Sequence, residues 1–150
     1  FVPSGMDIPI IRATAGSNAD KANAAFDDNE RSIWVSRDKS LDDAWIEFEI
    51  EPTEVKELQM KMGDFRRKSY PVEIFADGEL IWRGSTPKSL SYIHFPIGKK
   101  VQKIKVQLIG SVKDGDMFDN MGELEAKNND VIAKGNGILR IMEAQIIKKL

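Results

Sequence analysis

The sequence contains no cysteine, a single histidine and no long hydrophobic run. Without cysteine, the chain forms no disulfide, no thiolate zinc site and no cysteine nucleophile. Because His94 is the only histidine, zinc sites that need several imidazole ligands are excluded as well. No apolar stretch approaches the roughly 18–20 residues that a transmembrane helix requires. These absences remove several common classes of enzyme and any helical membrane span within this sequence.

The sequence also lacks an excess of charge of either sign. Lys and Arg number 22 and Asp and Glu number 24, so the formal net charge is −2 at pH 7. That balance argues against a protein that binds nucleic acid through bulk positive charge. We expect one globular domain over residues 1–150, because the length suits a single core. Its start at Phe1, with no initiator Met and no signal-peptide pattern, suggests a domain excised from or appended to a larger protein.

The sequence motifs of common catalytic sites are missing too. There is no G-x-S-x-G elbow, no Walker A motif and no G-x-G-x-x-G pattern. His94 falls in a predicted alternating strand, where a structural role is more common than catalysis. The acidic residues give many accidental carboxylate pairs, so a small hydrolase remains an alternative that rests on carboxylates alone. We expect no catalytic residue, and therefore a domain that is not an enzyme.

Short segments of alternating apolar and polar residues recur along the chain, and long helical periodicity is almost absent. Asp77-Gly78 is a strong hairpin signal between two of these segments. About eight short strands separated by turn residues indicate an all-β sandwich or barrel. The predicted strands are Ile8–Thr14, Ala44–Ile50, Val55–Met62, Val72–Ala76, Glu79–Gly84, Leu90–Phe95, Lys103–Leu108 and Ile138–Ile147.

Two stretches break the strand pattern. Asn18–Phe26 is rich in Ala and predicts one or two helical turns. Val112–Gly137 is dense in Gly, Asn, Asp and Lys and lies between two predicted strands. A loop of that length is uncommon in a compact domain, so either a functional loop or a mobile insertion is expected there.

An oxygen-rich turn stands out near the start of the chain. Asp27, Asn29 and Ser32 place side-chain oxygens at i, i+2 and i+5 between the apolar residues Phe26 and Trp34. A hard cation such as Ca²⁺ binds 6–8 oxygens from carboxylates, hydroxyls and backbone carbonyls. From the spacing alone, an Asx-type turn that satisfies its own backbone is the favoured interpretation.

Four blocks of sequence, in the right order, resemble the discoidin family (F5/8 type C domains), which overlaps carbohydrate-binding module family 32. The first is A-F-D-D-N-E-R-S-I-W at Ala25–Trp34, close to the family pattern A-F-D-G-N-x-x-T-x-W. The second is W-I-E-F-E-I at Trp45–Ile50, and the third is Tyr70–Trp82, which contains the D-G turn and a closing Trp. The fourth is Met142–Ile146, with its Glu in the last predicted strand.

This resemblance implies an all-β fold, a jelly-roll β-sandwich of two antiparallel sheets with about eight strands. It also implies a structural calcium ion held between the early oxygen-rich turn and the last strand. The ligands carried over from the family pattern are backbone carbonyl, carboxylate and hydroxyl oxygens of Ala24, Asp27, Asn29, Ser32, Met142 and Glu143.

The resemblance further implies a ligand site on the loops at one edge of the sandwich. Val35 stands where galactose-binding members have a His, so the contacts are expected from other residues of the same edge. An aromatic side chain, Phe118, or Trp34 if it is exposed, would stack on a sugar ring. The expected contact residues are Arg37, Asp38, Arg66, Arg67, Phe118 and Asn120.

Taken with the family, these features predict a non-catalytic carbohydrate-binding module. We expect an accessory domain of a secreted bacterial glycoside hydrolase, with a glycan and other domains of the parent chain as partners. The family implies a secreted, periplasmic or cell-surface location. The alternative is a protein-interaction or adhesion module of the same fold that does not bind sugar. It is motivated by the missing His of the galactose site and by the Met and Phe residues within the long loop Val112–Gly137.

Overall fold

Seven β-strands and two short 3₁₀ helices make up the part of the chain that the structure describes. The structure is a computed structural model, and it describes residues 7–27, 32–37, 41–63, 68–87, 91–110, 112 and 138–149. The strands are β1 (Arg12–Ala15), β2 (Trp34–Val35), β3 (Trp45–Met62), β4 (Pro71–Ala76), β5 (Glu79–Ser85), β6 (Ile93–Leu108) and β7 (Arg140–Lys148), and the 3₁₀ helices are Ala19–Ala25 and Leu41–Asp43.

All strand pairs are antiparallel, and the strands form the two layers of a sandwich. The first layer runs β1, β3, β6, β4, β5, and the second runs β2, β7, β3, β6. Both layers contain β3 and β6, because the two halves of each of these long strands belong to different layers. The all-β sandwich expected from the alternating pattern is therefore confirmed.

The long strands correct the predicted strand boundaries. The segments predicted as separate strands at 44–50 and 55–62 are joined in one 18-residue strand, β3. The 16-residue β6 begins at Ile93 and joins the end of the segment predicted at 90–95 to the segment predicted at 103–108. Pro52 lies between the two predicted segments, where the pairing of β3 with β6 shifts register between Glu49 and Thr53. Bulges are positions where a strand tolerates proline. Seven strands result instead of about eight.

Alternation along the strands builds one hydrophobic core between the layers. In β3, Ile46, Phe48 and Leu58 are completely buried. Aromatic contacts hold the layers together: the Trp82 ring of β5 packs edge-on against Phe95 of β6, with centroids 4.8 Å apart. Aromatic pairs of this geometry add about 0.5–1.5 kcal/mol beyond the area that they bury.

The predicted Asp77-Gly78 hairpin is confirmed between β4 and β5. Both residues have positive φ, 50° and 85°, as a two-residue type I′ turn requires. The Asp77 carboxylate also accepts backbone hydrogen bonds from β6, at 2.8 Å from the Lys103 N–H and at 3.1 Å from the Gln102 N–H. Because β6 passes from one layer to the other at these two residues, the turn pins that crossing.

The Ala-rich stretch near the start forms the 3₁₀ helix Ala19–Ala25, in agreement with the expected one or two helical turns. This helix packs against β1, β2 and β7. Its buried side chains are Ala22 and Ala25. None of the helices in the described part is long and apolar enough to cross a membrane. Residues 113–137, which include most of the long predicted loop, lie outside the described residues.

Candidate functional site

Three segments that flank the predicted contact loops meet at one end of the sandwich. The Ser36 N–H donates to the Leu139 carbonyl over 2.9 Å, and the Leu139 N–H donates to Ser36 Oγ over 2.8 Å. The Gly63 N–H donates to the Arg140 carbonyl over 2.9 Å. In sequence, Ser36 and Gly63 directly precede the segments 37–40 and 64–67, and Leu139 follows the segment 113–137; these segments carry the predicted contact residues. We call this region, defined by Ser36, Gly63 and Leu139, the loop end.

Of the predicted sugar contacts, Arg37 lies at the loop end and is exposed. Its backbone N–H donates to Ser17 Oγ over 2.8 Å, and that hydroxyl donates in turn to the Asp43 carbonyl over 2.8 Å. Asn18 Nδ2 donates to the Val35 carbonyl over 2.8 Å. These bonds fix the backbone as it leaves β2. The other predicted contacts lie outside the described residues: Asp38, Arg66, Arg67, Phe118 and Asn120.

The stacking role that was conditional on an exposed Trp34 is excluded, because the condition is not met. Trp34 is 0% exposed and belongs to the core, because its partner across the β2–β7 pair, Ile141, also faces the core. Burial alternates along β2, so the residues on either side, Ile33 and Val35, take the outer positions instead. A fully buried indole offers no ring face to a ligand.

The base of the 64–67 segment is held by buried polar contacts. The Tyr70 hydroxyl, itself fully buried, donates to the Gly63 carbonyl over 2.5 Å. The Tyr70 N–H donates to Thr86 Oγ1 over 2.9 Å, and the Thr86 N–H donates back to the Tyr70 carbonyl over 2.9 Å. Ser69 Oγ donates to the Thr86 carbonyl as well. Both ends of this segment are therefore anchored to strands.

Arg140 is a loop-end residue that the sequence analysis missed. It is paired with Val35 across β2 and β7 and is half-buried. A Cβ added to Gly63 would lie 2.5 Å from Arg140 Cβ and 2.7 Å from Ile33 Cδ1, so glycine permits this close approach. The only signal in the sequence is a polar position alternating with Leu139 and Ile141 in the last strand. That signal marks an outward-facing side chain but gives no information on its neighbours.

The residues predicted to bind calcium are distributed over three neighbouring elements. Ala24 is half-buried in the 3₁₀ helix that packs on β7, and Asp27 follows this helix and is exposed. Glu143 lies on β7 and is only 3% exposed. Ser32 is two residues before Trp34, which pairs with Ile141, so continuing that antiparallel register leads from Ser32 to Glu143. Asn29 lies outside the described residues.

The donors available in this region are oxygens. Within the described ranges, no group of three or more His, Cys, Asp or Glu side chains is arranged to hold a metal ion. Any cation there would depend on a mixture of carboxylate, hydroxyl and backbone carbonyl oxygens. That mixture is the ligand set of Ca²⁺ rather than of Zn²⁺. Met142, which is half-buried, precedes Glu143 on the same strand, and its predicted ligand atom is the backbone carbonyl oxygen.

His94 forms a polar cluster on the outer surface of β3 and β6. Its Nδ1 contacts the Glu57 carboxylate, and Gln59 Nε2 donates to the same carboxylate over 2.6 Å. Burial raises the pKa of Glu57, but the hydrogen bonds from Gln59 and His94 outweigh it and bring that pKa below its ordinary value of 4.5. The His94 side chain is 59% exposed. It sits in a strand, as predicted, and bonds a carboxylate there.

Solved structures with a similar fold were found, although no protein-family model and no curated protein matches the chain. The family 32 carbohydrate-binding module of AlyQ, in complex with 4,5-unsaturated mannuronic acid, is 13% identical with a TM-score of 0.69; the match covers 96% of this chain and 99% of that one. A pectin-binding carbohydrate-binding module is 15% identical with a TM-score of 0.59, over 93% and 91% of the two chains.

A third similar structure is the family 32 module of NanJ from C. perfringens in complex with galactose, which is 17% identical with a TM-score of 0.57 over 89% of each chain. The fold of this chain is therefore that of the discoidin and family 32 modules. The chain spans 34% of a truncated AlyQ that also has an alginate lyase domain. It spans 15% of a family 89 glycoside hydrolase from Clostridium perfringens.

Proposed function

We propose that this chain is a non-catalytic carbohydrate-binding module that recognises a glycan at the loop end. The observation that carries the proposal is the convergence of three segments there: Ser36, Gly63 and Leu139 bond to one another or to direct neighbours. The loops that carry the predicted contacts all continue from these anchors. The shared fold supports the proposal, since modules of this fold have been solved with sugars bound.

Recognition would combine hydrogen bonds from guanidinium groups with apolar packing. Arg37 is exposed and offers a planar fork of donors that matches pairs of sugar hydroxyls or a carboxylate. Ile33, which is 38% exposed, and half-buried Val35 offer an apolar surface to the C–H face of a sugar ring. Phe118 is the predicted stacking residue. One shallow site of this kind should bind with a Kd of roughly 10 µM to 1 mM.

A structural calcium ion is part of the same proposal, and the described residues fit it. Glu143 places a nearly buried carboxylate on β7, at the position reached from Ser32 when the β2–β7 register is continued. Carboxylate, hydroxyl and carbonyl oxygens lie on the elements that surround β7, which is the chemistry that Ca²⁺ selects. The ion would lower the free energy of the folded state by linking the early turn to the last strand. The residues that would hold it are Ala24, Asp27, Asn29, Ser32, Met142 and Glu143.

In its parent protein, the domain would serve as an accessory to a polysaccharide-degrading enzyme outside the cytoplasm. Modules of this fold occur beside an alginate lyase domain in AlyQ and within a family 89 glycoside hydrolase. This chain corresponds to only a fraction of those proteins. Its contribution would be to keep the enzyme close to its polymeric substrate, which raises the effective concentration of the substrate.

A glycan array followed by isothermal titration calorimetry tests the proposal. We expect binding to at least one glycan in the micromolar to millimolar range. Arg37→Ala should weaken this binding at least about tenfold, the equivalent of one charge-assisted hydrogen bond. Arg83→Ala is the matched control, because Arg83 is an exposed arginine of β5 that pairs with Glu73 on the sheet. If array and calorimetry show no binding to any neutral, amino or acidic glycan, the proposal is wrong.

A further inference from the structure

The four arginines in the described part of the chain fall into two groups. On the sheet surface, Arg12 Nε lies 3.2 Å from Glu49 Oε1, and Arg83 Nε lies 3.7 Å from Glu73 Oε2. At the loop end, Arg37 and Arg140 make no ion pair with any residue that the structure describes. Among the described residues, the arginines of the sheet surface are therefore paired with glutamates, whereas Arg37 and Arg140 are left to an external anion.

These two arginines belong to one surface. Arg140 lies directly across from Val35 in the β2–β7 pair. Burial alternates from Trp34 to Arg37, which gives Val35 and Arg37 the outer positions, with Ile33 before them. We call this surface, defined by Ile33, Val35, Arg37 and Arg140, the rim face. It combines two apolar side chains with two arginines: Arg37 lies two residues beyond Val35 in the chain, and Arg140 lies opposite Val35 on β7.

The position of Arg140 within the rim face is fixed by close packing. Gly63 leaves no room for a side chain between Ile33 and Arg140, since an added Cβ would lie within 2.7 Å of both. The Gly63 N–H also bonds the Arg140 carbonyl. Arg140 is thus held by backbone on one side and by β2 on the other. Packing of the aliphatic stem beside Gly63 limits the rotamers of Arg140, so the side chain loses less entropy when it binds a ligand.

We infer that the glycan bound at the loop end is acidic, and that Arg37 and Arg140 bind its carboxylate. This inference rests on the proposed function. A guanidinium group forms two parallel hydrogen bonds with a carboxylate, and such charge-assisted pairs are roughly twice as strong as neutral ones. The whole chain has a net charge of −2, so long-range electrostatic attraction between the domain and a polyanion cannot account for binding, and local contacts with arginine must do so. The apolar side chains of the rim face, Ile33 and Val35, pack against the sugar ring that bears the carboxylate.

Calorimetry with matched oligosaccharides tests this inference. The probes are an oligogalacturonate, its fully methyl-esterified form, and a sulfated galactan oligomer of similar length. We expect the free acid to bind at least about tenfold more tightly than the ester, because esterification removes the charge that a guanidinium recognises. Arg140→Gln should reduce the difference between acid and ester at least about threefold, because one of the two guanidinium groups that bind the carboxylate is lost. Arg83→Gln, in the paired arginine of β5, should preserve the difference.

The other outcomes separate the inference from the proposed function. If acid and ester bind equally and Arg140→Gln changes neither, the site binds sugars without reading a carboxylate, and only the inference is overturned. If the sulfated oligomer binds more tightly than the free acid, the carboxylate assignment is overturned as well. If no oligosaccharide on the array or in calorimetry binds, the proposed function fails, and the inference fails with it. Raising the salt concentration should weaken binding of the acid but not of the ester.

Discussion

Replacing Asp77 by alanine should destabilise the domain more than any other exposed substitution in the β4–β5 hairpin. The Asp77 carboxylate accepts backbone hydrogen bonds from Gln102 at 3.1 Å and from Lys103 at 2.8 Å. A hydrogen bond to a charged acceptor contributes about 1.5–3 kcal/mol to stability. Because Asp77 is exposed to solvent, we take about 1 kcal/mol or less for each of its two bonds. Asp77 also has φ 50°, where alanine costs about 1 kcal/mol more than Asp or Asn. The expected total is about 2–3 kcal/mol.

Urea denaturation and differential scanning calorimetry measure this loss. A cost of that size should lower the Tm of a 150-residue domain by about 5–10 °C. Asp77→Asn keeps the turn conformation and one acceptor oxygen, so it should cost about 1 kcal/mol. The matched control is Glu79→Ala, which removes only the exposed 2.9 Å ion pair with Lys99 and should cost less than about 0.5 kcal/mol. If Asp77→Ala is no more destabilising than Glu79→Ala, then the turn does not pin β6 and the reasoning fails.

Three further predictions concern the cation, pH and the 64–67 segment. Chelation of Ca²⁺ should lower the Tm, and calcium at a hundred times its Kd should raise the free energy of unfolding by about 2.7 kcal/mol. Asp27→Ala and Glu143→Ala should remove this response. An unchanged Tm on chelation would exclude the ion. Hydrogen bonds hold the pKa of Glu57 below 4.5, so the contribution of Glu57 to stability is present above pH 4.5 and is lost as the pH falls through the lowered pKa. In acid titrations followed by circular dichroism, Glu57→Gln should lose less stability over this pH range than the parent. An unaltered acid profile would contradict this prediction. Tyr70→Phe leaves the Gly63 carbonyl without the Tyr70 hydroxyl donor. It should lower the free energy of unfolding measured in urea by about 1–3 kcal/mol and should also weaken glycan binding. A glycan affinity equal to that of the parent would show that this hydrogen bond does not position the site.

Local patterns in the sequence predicted the fold well where a few residues decide the structure. The turn at Asp77-Gly78 was predictable because only residues that tolerate positive φ suit it. The strand boundaries were less predictable, because the polar residues between 50 and 55 interrupt the alternation, whereas a register shift in the pairing with β6 carries β3 through them. The two-residue strand β2 is too short for any periodicity, and its existence depends on β7. Such pairing over about a hundred residues of sequence leaves no local trace.

The candidate site was predictable to the level of loops and less so to the level of single residues. Arg37 was identified in advance and lies at the loop end. Trp34 was assigned a conditional stacking role, but alternation along β2 buries it completely. Arg140 was missed because its relevance comes from its contact with Gly63 and its pairing with Val35, which are distant in sequence. Side-chain chemistry can be read from a sequence, whereas proximity across strands requires the three-dimensional fold.

The strand β7 carries both Arg140 and Glu143, three residues apart. At about 3.3 Å per residue, their backbones are separated by about 10 Å, which is close to the Debye length of about 8–10 Å in physiological salt. A divalent ion beside Glu143 would therefore make the electrostatic potential at the rim face more positive. If the proposed calcium site and the proposed anion site both exist, occupancy of the first would raise the affinity of the second, and the calcium concentration would affect binding of an acidic glycan.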